Sequence, residues 1–213
     1  MHRLHRGTAP TCLALYDHGH HQWTNTTPTT QDRAEICTEL DAMQVRRCAY
    51  CECDLDQHRQ HIEHFRQRAR YPQGTFAWDN LFLSCQRSDS CGKHKDACGP
   101  YLYTDLIKPD HEDPERFFLF GQHGTINLRQ GLNSQEAGRA QETLRIFNLD
   151  AQWGPLRQMR KVACIGYFET ANAFREMAQH YPQDDWWPLL QEELAQIEHL
   201  PFRTAIRHTL TPV

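Results

Sequence analysis

The chain has 213 residues, 39% of them hydrophobic and 23% charged, and a formal net charge of −4. The length suits one large domain or two small ones, and the charge excludes a protein that holds nucleic acid by overall basicity, although Arg59, Arg66, Arg68 and Arg70 crowd the run from His58 to Arg70. No stretch approaches the ~20 apolar residues of a membrane helix, the basic N-terminus lacks the apolar segment of a secretory signal, and nine cysteines suit reduced metal ligands in the cytoplasm better than a disulfide framework.

In chain order, residues 1–28 read as irregular, with Pro10, Pro28 and the polar tract TNTTPTT. Thr29 or Thr30 is placed to cap a helix over 31–46, with Ala34, Cys37, Leu40 and Val45 as its inner stripe. A cysteine knuckle follows at 48–53. HIEHF (61–65) suits a strand, FAWDNLFLSC (76–85) carries a short apolar run, and CGKHKD (91–96) opens a helix. After an acidic, proline-containing connector, RFFLF-GQHG-TINL reads as a hairpin. Ser134 can cap a helix that places Ala137, Ala140, Leu144 and Phe147 at helical spacing. Further helices are expected over 155–180 and 185–199, and PFRTAIRHTL adds a short last one. Trp186, Trp187, Leu189 and Leu190 are expected in the core. The expected fold is α+β and mostly helical: an N-terminal arm and helix (1–47), a metal-bearing centre (48–103), and a hairpin with a helical C-terminal region (104–213).

Cys48-x2-Cys51 has the spacing of a zinc knuckle, in which a tight turn aims two thiolates at one ion. Two more ligands are needed. Cys85 and Cys91 are the first candidates, with a wider gap than a second knuckle would have, and Cys53 and Cys98 are their rivals. An ion held by four sulfurs is structural, because no coordination position remains for a substrate.

His61-Ile62-Glu63-His64 is a second cluster. A zinc deaminase needs Pro-Cys-x-x-Cys downstream of its His-x-Glu, and here the Cys-x-x-Cys lies upstream. The helical His-Glu-x-x-His of a metalloprotease is absent. A hydrolytic nuclease fits better: it uses a base, a metal clamp and cations that meet phosphate oxygens. Glu63 and His64 can supply ligand and base, His94 a further ligand, and Arg66, Lys93 and Lys95 the phosphate contacts. Adjacent strand residues point to opposite faces, so Glu63 and His64 share a site only if the strand ends or bends there. In a strand that stays regular, His61 and Glu63 share the metal face instead.

CAYC, HIEHF, WDNLFLSC and SCGKHKD, in that order, resemble the zinc-bearing ββα-metal nucleases of the His-Asn-His (HNH) type. The resemblance implies an HNH nuclease core in 48–103, with structural Zn2+ on Cys48, Cys51, Cys85 and Cys91. It implies His64 as general base, Asn80 tying the intervening loop and steadying that base, and Glu63 and His94 as ligands of a catalytic Mg2+ or similar ion. Glu63 stands where the family more often has Asp or His, Gly92 where many relatives have Asn, and the Cys85–Cys91 spacing is longer than usual. A wider similarity, carried by HRLHRGTAP, HIEHFR, TFAWDNLFLSC, CGKHKD and LIKPDHEDPE, is to the retron-associated and Septu-type HNH proteins, the PtuB family. It implies anti-phage defence by phosphodiester hydrolysis in DNA or tRNA. It also implies an ABC-type ATPase partner, PtuA-like, and in some systems a reverse transcriptase with its msDNA. The alternative is a non-catalytic zinc module that tethers the ATPase to nucleic acid, a role that does not require His64, Asn80 and His94.

Overall fold

The structure is a computed structural model that describes residues 1–55 and 60–211; His58 and Arg59 of the basic run lie outside them. Helix α1 (Thr30–Gln44) is capped by Thr29: its hydroxyl accepts the Asp32 amide at 3.2 Å, and the Asp32 carboxylate accepts the Thr29 amide at 3.3 Å. This reciprocal pair satisfies two free donors at the helix start. The buried stripe is Ile36, Leu40 and Gln44, displaced from the expected one, and Val45 is exposed in a left-handed cap. A polar residue ends the stripe because its amide pairs with a strand. Gln44 Nε2 donates to Leu83 O and Gln44 Oε1 accepts from Leu83 N, both at 2.8 Å.

Strands β1 (Gln60–His64) and β2 (Leu81–Cys85) are antiparallel, with Gln60 opposite Cys85 and His64 opposite Leu81. Every residue of β2 is buried. Its second edge is covered by the Gln44 amide and by the cysteine knuckle, where Ala49 N donates to Leu83 O at 3.1 Å. The knuckle is a small hairpin: Arg47 pairs with Asp54, Cys48 N donates to Cys53 O at 2.9 Å, and Glu52 closes the loop at a φ of 65°. Helix α2 (Cys91–Ala97) packs on β2.

The hairpin is present as β3 (Phe118–Phe120) and β4 (Ile126–Leu128). Its turn requires glycine at 124, where φ is +80° and a Cβ would overlap the Arg157 carbonyl. In α3 (Ser134–Phe147) the cap is Asn133, one residue before the expected Ser134; its side chain accepts the Glu136 amide at 2.9 Å. The helix expected over 155–180 is two helices, α4 (Pro155–Ile165) and α5 (Phe168–His180), separated at Gly166 and Tyr167. Apolar spacing runs through the break, and the break lets both helices lie against α7 (Arg203–Leu210). Helix α6 (Gln183–Gln196) buries Trp186 and Leu190, which are four residues apart and share one face. Trp187 and Leu189 lie off that face and are 42% and 48% exposed, so they are not core.

Helix α7 is stitched to the knuckle. The buried Glu52 carboxylate accepts Thr204 N at 3.0 Å and Thr204 Oγ1 at 2.7 Å, an anion at a helix start. Arg47 donates to Glu198 O at 2.7 Å and Leu200 O at 3.2 Å. Among the described residues no helix is long and apolar enough to cross a membrane.

Candidate metal and catalytic site

The Sγ atoms of Cys48, Cys51, Cys85 and Cys91 lie within 4.8 Å of one another, and all four residues are buried. Cys51 and Cys85 are 3.9 Å apart sulfur to sulfur, near the ~3.8 Å edge of a tetrahedron whose zinc–sulfur distance is ~2.3 Å. The wide gap between the last two ligands is spanned by a turn that ends with Cys91 at a φ of 57°, where Gly92 N donates to Ser84 Oγ at 3.1 Å. Cys53 is buried but outside the group, and Cys98 lies 3.4 Å from His94 Nδ1 instead. The donor set suits a soft, tetrahedral ion such as zinc. A second group, Cys12, Asp32 and Glu35, is also close together, but its carboxylates are committed to the fold. Asp32 caps α1 and accepts the Tyr16 hydroxyl at 2.5 Å, and Glu35 accepts the Cys12 amide at 3.3 Å.

His64 ends β1 with its ring buried. Its Nε2 lies 2.9 Å from Thr75 O. A carbonyl can only accept, so Nε2 carries the proton and Nδ1 keeps the lone pair. Burial, reinforced by the nearby Arg68 guanidinium, lowers the imidazole to about 4, so the ring is neutral near pH 7. The edge-on ring of Trp23, centred 4.6 Å away, covers it from the N-terminal arm. Asn80 builds the turn that presents Thr75. Its Oδ1 accepts Arg66 N at 2.6 Å, and its Nδ2 donates to Gly74 O at 2.8 Å and Arg66 O at 3.2 Å. Asn80 therefore acts on His64 through the backbone of the loop and does not touch the ring.

Glu63 precedes His64 at the point where β1 ends, and its charge acts on the imidazole. The ladder stays regular to the end of β1, and His61 and Glu63 accordingly meet side by side, with His61 Nε2 3.3 Å from Glu63 Oε2. Glu63 Oε1 is 2.7 Å from the Lys95 ammonium. Burial opposes the ionisation of Glu63, but Lys95 and then His61 outweigh it and hold the carboxyl below the usual glutamate range. Burial would likewise discharge Lys95, and the Glu63 carboxylate outweighs it. Lys95 is fully buried, with a second bond to His64 O at 2.9 Å, so as placed it is not open to a phosphate. The reason is spacing on α2: Lys95 follows Cys91 by four residues and turns inward with it.

Glu63, His64 and His94 do not form a group of three donor atoms. His94 Nδ1 lies 2.9 Å from Ile146 O on α3, an arrangement that leaves Nε2 with the lone pair a ligand needs. Lys93 is exposed. Arg66 pairs with Asp79 at 2.8 Å and, with Tyr103, Lys108 and Arg139, lines a cleft of about 300 Å³. Arg68 is exposed on the loop after β1, its guanidinium donating to Trp23 O at 2.8 Å.

Fit to a divalent cation can be judged at Glu63. Gly92 makes room for this carboxylate: a Cβ there would lie 2.6 Å from Glu63 Cδ. The adjoining His61 Nδ1 is buried without a hydrogen-bond partner among the described residues. One carboxylate oxygen and an imidazole nitrogen 3.3 Å from it fit a cation that keeps some of its waters.

No protein-family model matches the chain. Over 72 residues it is 40% identical to Septu protein PtuB of Bacillus thuringiensis. That stretch covers 32% of this chain and 28% of PtuB, so well under two thirds of the relative's length is matched. The similarity to PtuB agrees with the wider resemblance carried by the motifs.

Sequence reasoning overlooked Trp23 and Thr75. Trp23 stands in a tract without periodicity, and Thr75 contributes only a backbone carbonyl, which no residue type announces. His61 had a signal, its i,i+2 relation to Glu63 in a regular strand.

Proposed function

We propose that the chain is a metal-dependent endonuclease subunit of a Septu-type anti-phage defence system, hydrolysing phosphodiester bonds under the control of a PtuA-like ATPase. The observation that carries the reading is His64: a buried, neutral imidazole whose tautomer is fixed by Thr75 O, with the other nitrogen left as a proton acceptor. The similarity to PtuB supports the defence role and the partner. In this reading His64 Nδ1 takes the proton of the attacking water. Glu63 holds a divalent cation, which when bound polarises the scissile phosphate and the water. Lys93 and Arg66 meet phosphate oxygens, and Asn80 keeps the base in place. The four cysteines hold a structural zinc that fixes the knuckle against β2. Retron reverse transcriptase and msDNA belong to the same reading as further partners in systems that carry them.

A second reading has one observation in its favour. Glu63 is already neutralised by a buried ammonium, as a purely structural pair would be. In that reading the chain is a zinc module that tethers the ATPase to nucleic acid.

Cleavage assays separate the two. The purified chain with its ATPase partner is incubated with duplex DNA and with tRNA, with Mg2+ or Mn2+ and after EDTA. The nuclease reading expects cleavage that EDTA abolishes and added Mn2+ restores. Binding without cleavage under all conditions supports the tether.

A further inference from the structure

We propose that His61 is the second protein ligand of the cation held by Glu63, and that the pair selects a transition-metal ion such as Mn2+ over Mg2+. The inference rests on the nuclease reading for its purpose, but its geometry stands on its own. Three observations point the same way.

First, distance. His61 Nε2 and Glu63 Oε2 are 3.3 Å apart. Two ligand atoms each ~2.1–2.2 Å from one ion, at about a right angle, lie about 3 Å apart. Second, availability. Glu63 is anchored through Oε1 by Lys95 at 2.7 Å, which leaves Oε2 as the oxygen it presents. A cation at Oε2 does not have to displace the ammonium. The His61 ring is 20% exposed, so the ion has a route in, and its Nδ1 has no hydrogen-bond partner among the described residues. Third, the neighbour on α2. Gly92 has no side chain, and any Cβ there would collide with the Glu63 carboxylate, so this position is kept clear for Glu63.

The donor types set the selectivity. Mg2+ takes oxygen ligands and dehydrates reluctantly. An imidazole beside a carboxylate suits Mn2+, Co2+, Ni2+ or Zn2+. Waters and a substrate phosphate oxygen complete the coordination.

The test is a Mn2+ titration of the zinc-loaded full chain, followed by the EPR signal of free Mn2+. Wild type, His61→Ala, His61→Gln and His94→Ala are compared, with zinc content measured to confirm that each is folded. The expected result is one Mn2+ site in wild type that Mg2+ displaces only in at least tenfold excess. Both His61 variants should weaken it tenfold or more, and His94→Ala should change it less than twofold. Unchanged affinity in the His61 variants, loss in His94→Ala instead, or no Mn2+ site in wild type overturns the inference. Cleavage assayed on the same samples, with the PtuA-like ATPase added, separates the two readings. Mn2+ bound through His61 with no cleavage retires the nuclease reading alone, and cleavage that survives in the His61 variants with unchanged Mn2+ affinity retires this inference alone.

Discussion

Lys95 was expected to face a phosphate and instead lies wholly inside, 2.7 Å from Glu63. A lysine at that depth is retained only because a carboxylate compensates it, and the reverse holds for Glu63. Lys95→Met keeps the volume and leaves a buried carboxylate with His61 as its remaining partner. Urea unfolding is expected to show a loss of about 3–5 kcal/mol, with much of it recovered in Lys95→Met/Glu63→Gln. A loss below ~1 kcal/mol would place the pair in solvent, where ion pairs contribute little. The same region shows why side-chain roles were only partly legible. CxxC and His-x-Glu-His announce themselves by residue type. That Lys95 turns inward while Lys93 stays out depends on which face of a short helix meets β2, and no short motif encodes that.

Elements were most legible where apolar spacing and end signals agreed, as in α1, the hairpin and α3. They were least legible where a polar residue acts as backbone. Gln44 extends the pairing of β2, so the buried stripe of α1 ends on an amide that hydrophobic periodicity overlooks. The division between α4 and α5 was hidden because the stripe continues across Gly166. Between elements, polar clamps matter as much as apolar contact. Asp110, in the connector, accepts from Arg6 of the N-terminal arm at 2.6 Å and from Lys108 at 2.7 Å. Burial opposes its ionisation, but Lys108 and Arg6 outweigh that and hold the carboxyl below the usual aspartate range. A carboxylate with a depressed folded pKa stabilises fully above its unfolded value, ~3.9, and loses that contribution as pH falls through the folded value. The gap in melting temperature between wild type and Asp110→Asn is therefore expected to be constant from pH 5 to 8 and to close below about pH 4. A gap that widened in acid would contradict the assignment.

At the scale of the molecule, the knuckle joins β2 and α2 to α7. Its thiols gather β2 and the start of α2, while Glu52 and Arg47 hold α7 and the segment before it. Metal binding at such a site is coupled to folding. Cys48→Ala, or removal of zinc by a chelator, is expected to release hydrogen-exchange protection in α7 together with that of β2. Protection in α7 that survives zinc loss would show that α7 folds independently of the four-cysteine site. The cysteine spacing made the four-thiol group legible, but the link to α7 runs through Glu52, 152 residues from Thr204 in the chain, a separation that short-range patterns cannot bridge.

The most direct test of the account is cleavage by His64→Ala, made in parallel with wild type and checked for equal zinc content and melting temperature. The account predicts a folded, zinc-loaded protein that no longer cuts nucleic acid in the presence of Mn2+ and the PtuA-like ATPase proposed as its partner. A folded His64→Ala protein that cuts as wild type does would contradict it.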